Sequence, residues 1–197
     1  MKEDKKLKEI HDQARKEHVP IMLDDGMSFL LAYITEHENI RDILEAGTAV
    51  GYSAINMAKI RWDMHIDTLE VNHDMAEKAK ENIASEGLSD RIHVHETDAA
   101  VFETDKIYDL IFIDAAKSQY RRYTEHFLKN SRKGTVFIYD NLNFHGMVDD
   151  ESLTDNRSTK QMMHKIHKFR DHLIQDKRFH TEFYSDTGDG IAVAVRL

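Results

Sequence analysis

The stretch Tyr108-Asp-Leu-Ile-Phe-Ile-Asp114 constrains the fold of this chain more than any other feature. Its interior is nearly continuously apolar, so a strand here has no face left for water and must be covered on both sides. Similar short runs occur at residues 43–45, 66–71, 92–95 and 135–140, separated by longer segments with helical spacing. Parallel strands need crossover connections, so this alternation predicts an α/β fold with a doubly wound, mostly parallel sheet. One intervening segment carries its own punctuation: Asp74 as N-cap, Glu77 three residues on, and Gly87 as the stop. The rhythm changes near the C-terminus. A long helix over Arg157–Gln175 is followed by runs at 179–184 and 191–195, joined by Ser-Asp-Thr-Gly-Asp-Gly. That pattern predicts an antiparallel hairpin. The single proline, Pro20, marks the junction of two helices. The expected organisation is one domain, with a helical N-terminal lid over residues 1–38 and a Rossmann-like core over 39–197.

Composition narrows the function classes. Hydrophobic residues are 41% and charged residues 32%, a globular balance with no apolar run of about 20 residues to cross a bilayer. The charged stretch 1–8 has no apolar core of the signal-peptide kind. Cysteine is absent, which removes disulfides and thiolate chemistry and leads us to expect a cytoplasmic protein. A formal net charge of −9 argues against an indiscriminate nucleic-acid coat. Basic residues nonetheless cluster at Arg121, Arg122, Lys129, Arg132 and Lys133, and again at Arg157, Lys160, Lys165, Lys168 and Arg170. These clusters could form a phosphate-binding rim or be solvated helix faces balanced by nearby acids. The 13 histidines are scattered; His93 and His95 share a strand face, but no second metal site is expected there.

The first strand leads into Glu45-Ala-Gly47-Thr-Ala-Val-Gly51-Tyr-Ser53 and then a helix. A dinucleotide fingerprint would need glycine at positions 49 and 52, where Ala49 and Tyr52 stand, and no Gly-Lys-Ser/Thr ending of a P-loop follows. The loop is E-x-G-x-x-x-G, and the acid Glu70 ends the second strand, where it can accept both ribose hydroxyls of an adenosine. Adenosine joined to something other than a pyrophosphate fits this loop, and S-adenosylmethionine has that form. Asp114 ends the fourth strand, and Asp140-Asn141 the fifth. Two carboxylates and an amide carbonyl at the crevice form a hard all-oxygen set suited to Mg²⁺ or a similar divalent cation. Lys117 follows Asp114 by three residues; a neighbouring cation would favour its neutral amine, a candidate general base.

Three separated motifs resemble the cation-dependent O-methyltransferases, the catechol and caffeoyl-CoA group: residues 43–54, Ile111-Phe-Ile-Asp-Ala-Ala-Lys-Ser-Gln-Tyr, and Tyr139-Asp-Asn-Leu. His18-Val-Pro-Ile-Met22, Phe144-His-Gly-Met-Val148 and the Gly-Asp-Gly ending look most like the bacterial tRNA 5-hydroxyuridine methyltransferases. The resemblance implies a Rossmann-like class I methyltransferase fold, with Asp114, Asp140 and Asn141 as metal ligands. It implies Glu70 on the cofactor ribose, Gly47 and Ser53 in the cofactor loop, Asp98 and Ala99 beside adenine, and Met22 and Leu23 over the methionine end. Asp114 would serve cofactor and cation together, and Lys117 matches the general base. The resemblance further implies a tRNA anticodon loop, or else a catechol-like small molecule, as acceptor, and a homodimer. A non-catalytic adenosine-binding module would keep the fold without needing the metal set. The chain departs from the pattern at Ala46, where a branched apolar residue is usual, and at Leu23-Asp24, which replace the commoner acid-proline pair.

Overall fold

A computed structural model describes residues 5–143 and 154–197. The Phe144–Val148 motif therefore lies outside the described residues. Seven strands form one sheet in the order β3-β2-β1-β4-β5-β7-β6. The elements run α1 (Lys5–Lys16), α2 (Asp24–Glu36), β1 (Asp42–Ala46), α3 (Tyr52–Ile60), β2 (His65–Glu70), α4 (His73–Ser85) and β3 (Ile92–Glu96). They continue with β4 (Leu110–Ile113), α5 (Tyr120–Phe127), β5 (Val136–Tyr139), α6 (Arg157–Gln175), β6 (Phe179–Tyr184) and β7 (Ile191–Arg196). Strands β1 to β5 pair in parallel, while β7 is antiparallel to both β5 and β6. The doubly wound sheet with its C-terminal hairpin is thus as the sequence predicts. Among the described residues no helix is long and apolar enough to cross a membrane.

Burial on both faces explains the apolar strands. Along β4, Leu110 and Phe112 enter one core with α1–α4, while Ile111 and Ile113 enter the other with α5 and α6. Each such fully buried side chain contributes roughly 2 kcal/mol of transfer free energy. Chain order reverses between β1 and β4, so the crevice opens at their carboxyl ends.

Two local expectations are corrected. Helix α4 starts two residues earlier than the Asp74 cap allows: Asn72 is the N-cap, its side chain accepting from the Met75 amide at 3.1 Å. The amide oxygen of Asn72 reaches the N3 donor, and Asp74 sits within the first turn. The crossover from β3 to β4, residues 97–109, contains no helix. Side chains hold it as irregular chain instead: Asn130 Nδ2 donates to the carbonyls of Thr104 and Lys106, and a His126 ring nitrogen bonds the Phe102 carbonyl.

Candidate active site

The glycine loop after β1 is shaped by one close approach. Gly47 has φ +105°, and a Cβ there would lie 2.2 Å from the Asp114 carbonyl oxygen. Only glycine lets the loop lie against the end of β4. Beneath the loop, Glu45 is fully buried and accepts from Ser53 Oγ and, at 2.5 Å, from Thr68 Oγ1; Thr48 and Thr68 hydroxyls lie 2.6 Å apart. Burial pushes the Glu45 carboxyl up to about 7, against the pull of its two hydroxyl donors. Ser53 lines the cavity while its hydroxyl is engaged by Glu45. Glu70 ends β2 with one carboxylate oxygen accepting from the Ala49 amide at 2.8 Å and the other from the Asn72 amide at 2.9 Å. It is therefore both a tie for the loop and a presented carboxylate.

Between β1, β2, β4 and the 20–22 segment lies a cavity of about 460 Å³. Of the residues singled out from sequence, Met22, Gly47, Ser53, Glu70, Asp98, Ala99, Asp114, Lys117 and Asn141 line it. Two do not. Leu23 falls one residue past the wall, as N-cap of α2, its carbonyl accepting from Met27. Asp140 is buried beside the cavity, 1% exposed. Sequence reasoning missed Val71, Thr97 and Tyr123, which add apolar and hydroxyl surface to the cavity. Only the position of Val71 directly after Glu70 signals it. Asp98 holds its own turn by accepting from the Ala100 amide at 2.8 Å.

At the other end Asp114, Asp140 and Asn141 come together around Lys117. Asn141 has φ +58°, which turns its amide oxygen back to accept from Lys117 Nζ. One Asp140 oxygen accepts from the Asn141 amide at 2.7 Å; the other, Oδ2, is buried with no hydrogen-bond partner among the described residues. Tyr120 fixes the strand end by donating its hydroxyl to the Asp140 carbonyl at 2.8 Å. Burial, then the Asp140 charge, raises the Asp114 carboxyl well above the carboxylate range; burial likewise raises Asp140, with Asp189 adding to it and Lys117 opposing. A half-buried Asp114 beside a buried Asp140 with an orphaned oxygen is a set of donors short of positive charge. The hard oxygen donors fit a divalent cation. The basic clusters, by contrast, are partly neutralised: Lys129 pairs with Glu103 and Arg132 with Asp109, while Arg157, Lys165 and Lys168 of α6 are exposed.

Comparison with known proteins places this geometry. The chain is 36% identical over 133 residues to a catechol O-methyltransferase of Niastella koreensis, a stretch spanning 64% of this chain and 59% of that protein. It is 26% identical over 212 aligned positions to a caffeoyl-CoA O-methyltransferase of Populus kitakamiensis, covering 99% of this chain and 88% of the other. An O-methyltransferase from Bacillus cereus in complex with SAH superposes with a TM-score of 0.84 at 28% identity, covering 100% of this chain and 93% of that one. The family model described as O-methyltransferase matches residues 1–197 throughout. The chain belongs to the S-adenosylmethionine-dependent O-methyltransferase family.

Proposed function

We propose that this protein methylates one of two adjacent oxygens on its acceptor in a divalent-cation-dependent reaction, with Mg²⁺ as the cation. The observation that carries the reading is the orphaned, buried Asp140 Oδ2 beside Asp114 and Asn141. When bound, the cation would hold the two acceptor oxygens and favour the ionised hydroxyl, and the sulfonium of S-adenosylmethionine would supply the methyl group. Asp114, Asp140 and Asn141 would hold the cation, and Asn141 would then exchange its Lys117 partner for it. Lys117 Nζ, displaced from Asn141, would take the hydroxyl proton as the neutral amine that a neighbouring cation favours. Glu70 would accept from the ribose, with Asp98 and Ala99 at the base and Met22 over the methionine end. Oriented this way, the nucleophile and methyl carbon need little further ordering. A non-catalytic module has no use for the acid pair, whose burial is a cost without a ligand.

Both 5-hydroxyuridine in a tRNA anticodon loop and a catechol-like small molecule present adjacent oxygens. The exposed Arg157, Lys165 and Lys168 of α6 support the tRNA acceptor, and the catechol O-methyltransferase relative supports the small one. Incubation with labelled cofactor, Mg²⁺ and either hypomodified tRNA or a catechol panel decides between them. Label in tRNA that disappears with Asp140→Ala supports the first; transfer to catechols alone leaves the reaction class and removes the tRNA reading. No transfer to any acceptor despite cofactor binding overturns the catalytic proposal. A homodimer is proposed as well, supported by the groove between α2 and β6 that Phe29, Tyr33 and Tyr184 line; a monomer mass by light scattering overturns it.

A further inference from the structure

Three backbone segments far apart in sequence meet beside the proposed cation site. The loop joining β6 to β7 carries Gly188, at φ +58°, whose amide donates to Asp25 Oδ2 at 2.9 Å; Asp25 Oδ1 accepts from the Gly26 amide at 3.0 Å. The contact is backbone on backbone: a Cβ on Gly188 would meet Gly26 Cα at 3.2 Å and Asp140 Oδ1 at 3.7 Å. A Cβ on Gly26 would meet the Met22 side chain at 3.2 Å, and Met22 lines the cofactor cavity. The same loop continues into two more ties. Asn143 donates its amide to the Asp189 carbonyl at 2.7 Å, and Leu142 to the Gly190 carbonyl at 2.8 Å. Leu142 and Asn143 directly follow Asp140-Asn141. The loop is therefore fixed at one side to the start of α2 and at the other to the chain that presents two of the three proposed cation ligands.

We propose that Asp25 is a positioning residue: by holding residues 188–190 against the start of α2, it sets both the 20–22 wall of the cofactor cavity and the backbone presenting Asp140 and Asn141. Asp25 is itself exposed and touches no part of the cavity; it acts through the loop. The hydrogen bond to an ionised carboxylate is the strong kind, and the Gly188 amide holds the Asp25 carboxyl below its ordinary range. Neither hairpin twist nor core packing needs this bond, because β6 and β7 are already paired along six residues each. The inference rests on the cofactor reading of the cavity.

Calorimetric titration of S-adenosylmethionine, with and without Mg²⁺, tests it on the wild type and five variants. Asp25→Ala and Gly188→Ala are expected to lose about tenfold in cofactor affinity, the worth of one charge-assisted hydrogen bond. Both are also expected to need more Mg²⁺ for the same rise in melting temperature. Asp25→Asn, whose single amide oxygen still accepts from Gly188 but without the charge, is expected to fall between Asp25→Ala and the wild type. Gly87→Ala and Gly134→Ala carry the same kind of backbone strain, at φ +68° and +88°, with nothing within 4 Å of the added Cβ. They are expected to lower melting temperature and leave affinity unchanged. The proposal is overturned if Asp25→Ala binds cofactor like the wild type, if Asp25→Asn is as weak as Asp25→Ala, or if the two control glycines weaken binding as Gly188→Ala does. A wild type that binds no cofactor would instead overturn the reading of the cavity, and the positioning role of Asp25 with it.

Discussion

Acids at two places on the same sheet are treated in opposite ways. Asp67, on β2, accepts from His95 Nε2 at 2.7 Å, from Tyr108 Oη at 3.0 Å and from Lys106 Nζ at 3.1 Å. Burial alone would push its carboxyl up; the His95, Lys106 and Tyr108 partners overcome that and hold it down at about 2. Asp114 and Asp140, at the carboxyl ends of β4 and β5, share one nearby ammonium, Lys117, and burial raises both. The chain supplies the structural acid with its own positive charge and leaves the other pair wanting one. Stability is served by the first arrangement. The second would serve the proposed cation, because a site whose charge is already balanced gives a cation nothing to improve.

The largest test of this contrast is Asp140→Asn. Loss of one ligand oxygen's charge is expected to lower kcat/KM by about a thousandfold, the scale of a metal's stabilisation of developing charge. The cation-free melting temperature should nevertheless hold or rise, because a repelling buried charge is removed. Mg²⁺ should raise the melting temperature of the wild type by mass action and not that of the variant. A cation-free variant that melts well below the wild type would place Asp140 with the structural acids and collapse the distinction.

Asp67→Asn is the mirror experiment. It should cost about 2 kcal/mol at pH 7, since it leaves Lys106 and His95 beside a neutral amide. The wild-type carboxyl is held below its ordinary value, so its contribution is complete above that value and is lost as pH falls toward 2. The stability gap between variant and wild type should therefore close on acidification, followed by urea melts. Methyl transfer should stay within about twofold, the sites sharing no partner. A large loss of activity with unchanged stability would invert the comparison.

How these two groups read from sequence differs for a physical reason. Asp114 and Asp140-Asn141 were legible because they end buried strands, and strand ends in this topology face one crevice. The same logic found Glu70 and the glycine loop. The Asp67 group was not legible: its four residues are up to 41 positions apart, and which faces of β2, β3 and the 97–109 crossover converge is decided by packing. His95 was noted on its strand face, but nothing in the spacing points it at Asp67. Asn72 was passed over as a cap because Asp74 offers a stronger local pattern, and only backbone direction selects between them. Leu23 was placed one residue too far along a wall that ends at Met22. The Asp25–Gly188 bond spans 163 positions; the Gly-Asp-Gly run was visible, its partner was not.

Glu45 lies between the two groups and gives the smallest but sharpest test. It has hydrogen-bond donors, Ser53 and Thr68, and no cationic partner among the described residues, and burial lifts it to about 7 from an ordinary 4.5. Between those values the folded protein binds more protons at this site than the unfolded chain does. The Glu45 contribution to stability should therefore fall as pH rises from 4.5 to 7, by up to about 1.4 kcal/mol per pH unit and in addition to the contributions of the raised Asp114 and Asp140, and level off above. Glu45→Gln keeps an acceptor for one hydroxyl and should flatten that segment of the profile; an unchanged slope would assign the titration elsewhere. Repeating the wild-type profile with saturating S-adenosylmethionine then assigns Glu45 to one side or the other. A break that moves to lower pH means the cationic ligand supplies the charge this acid lacks, as expected of the binding group. A break that stays near 7 means Glu45 only braces the loop through Ser53 and Thr68, and belongs with Asp67.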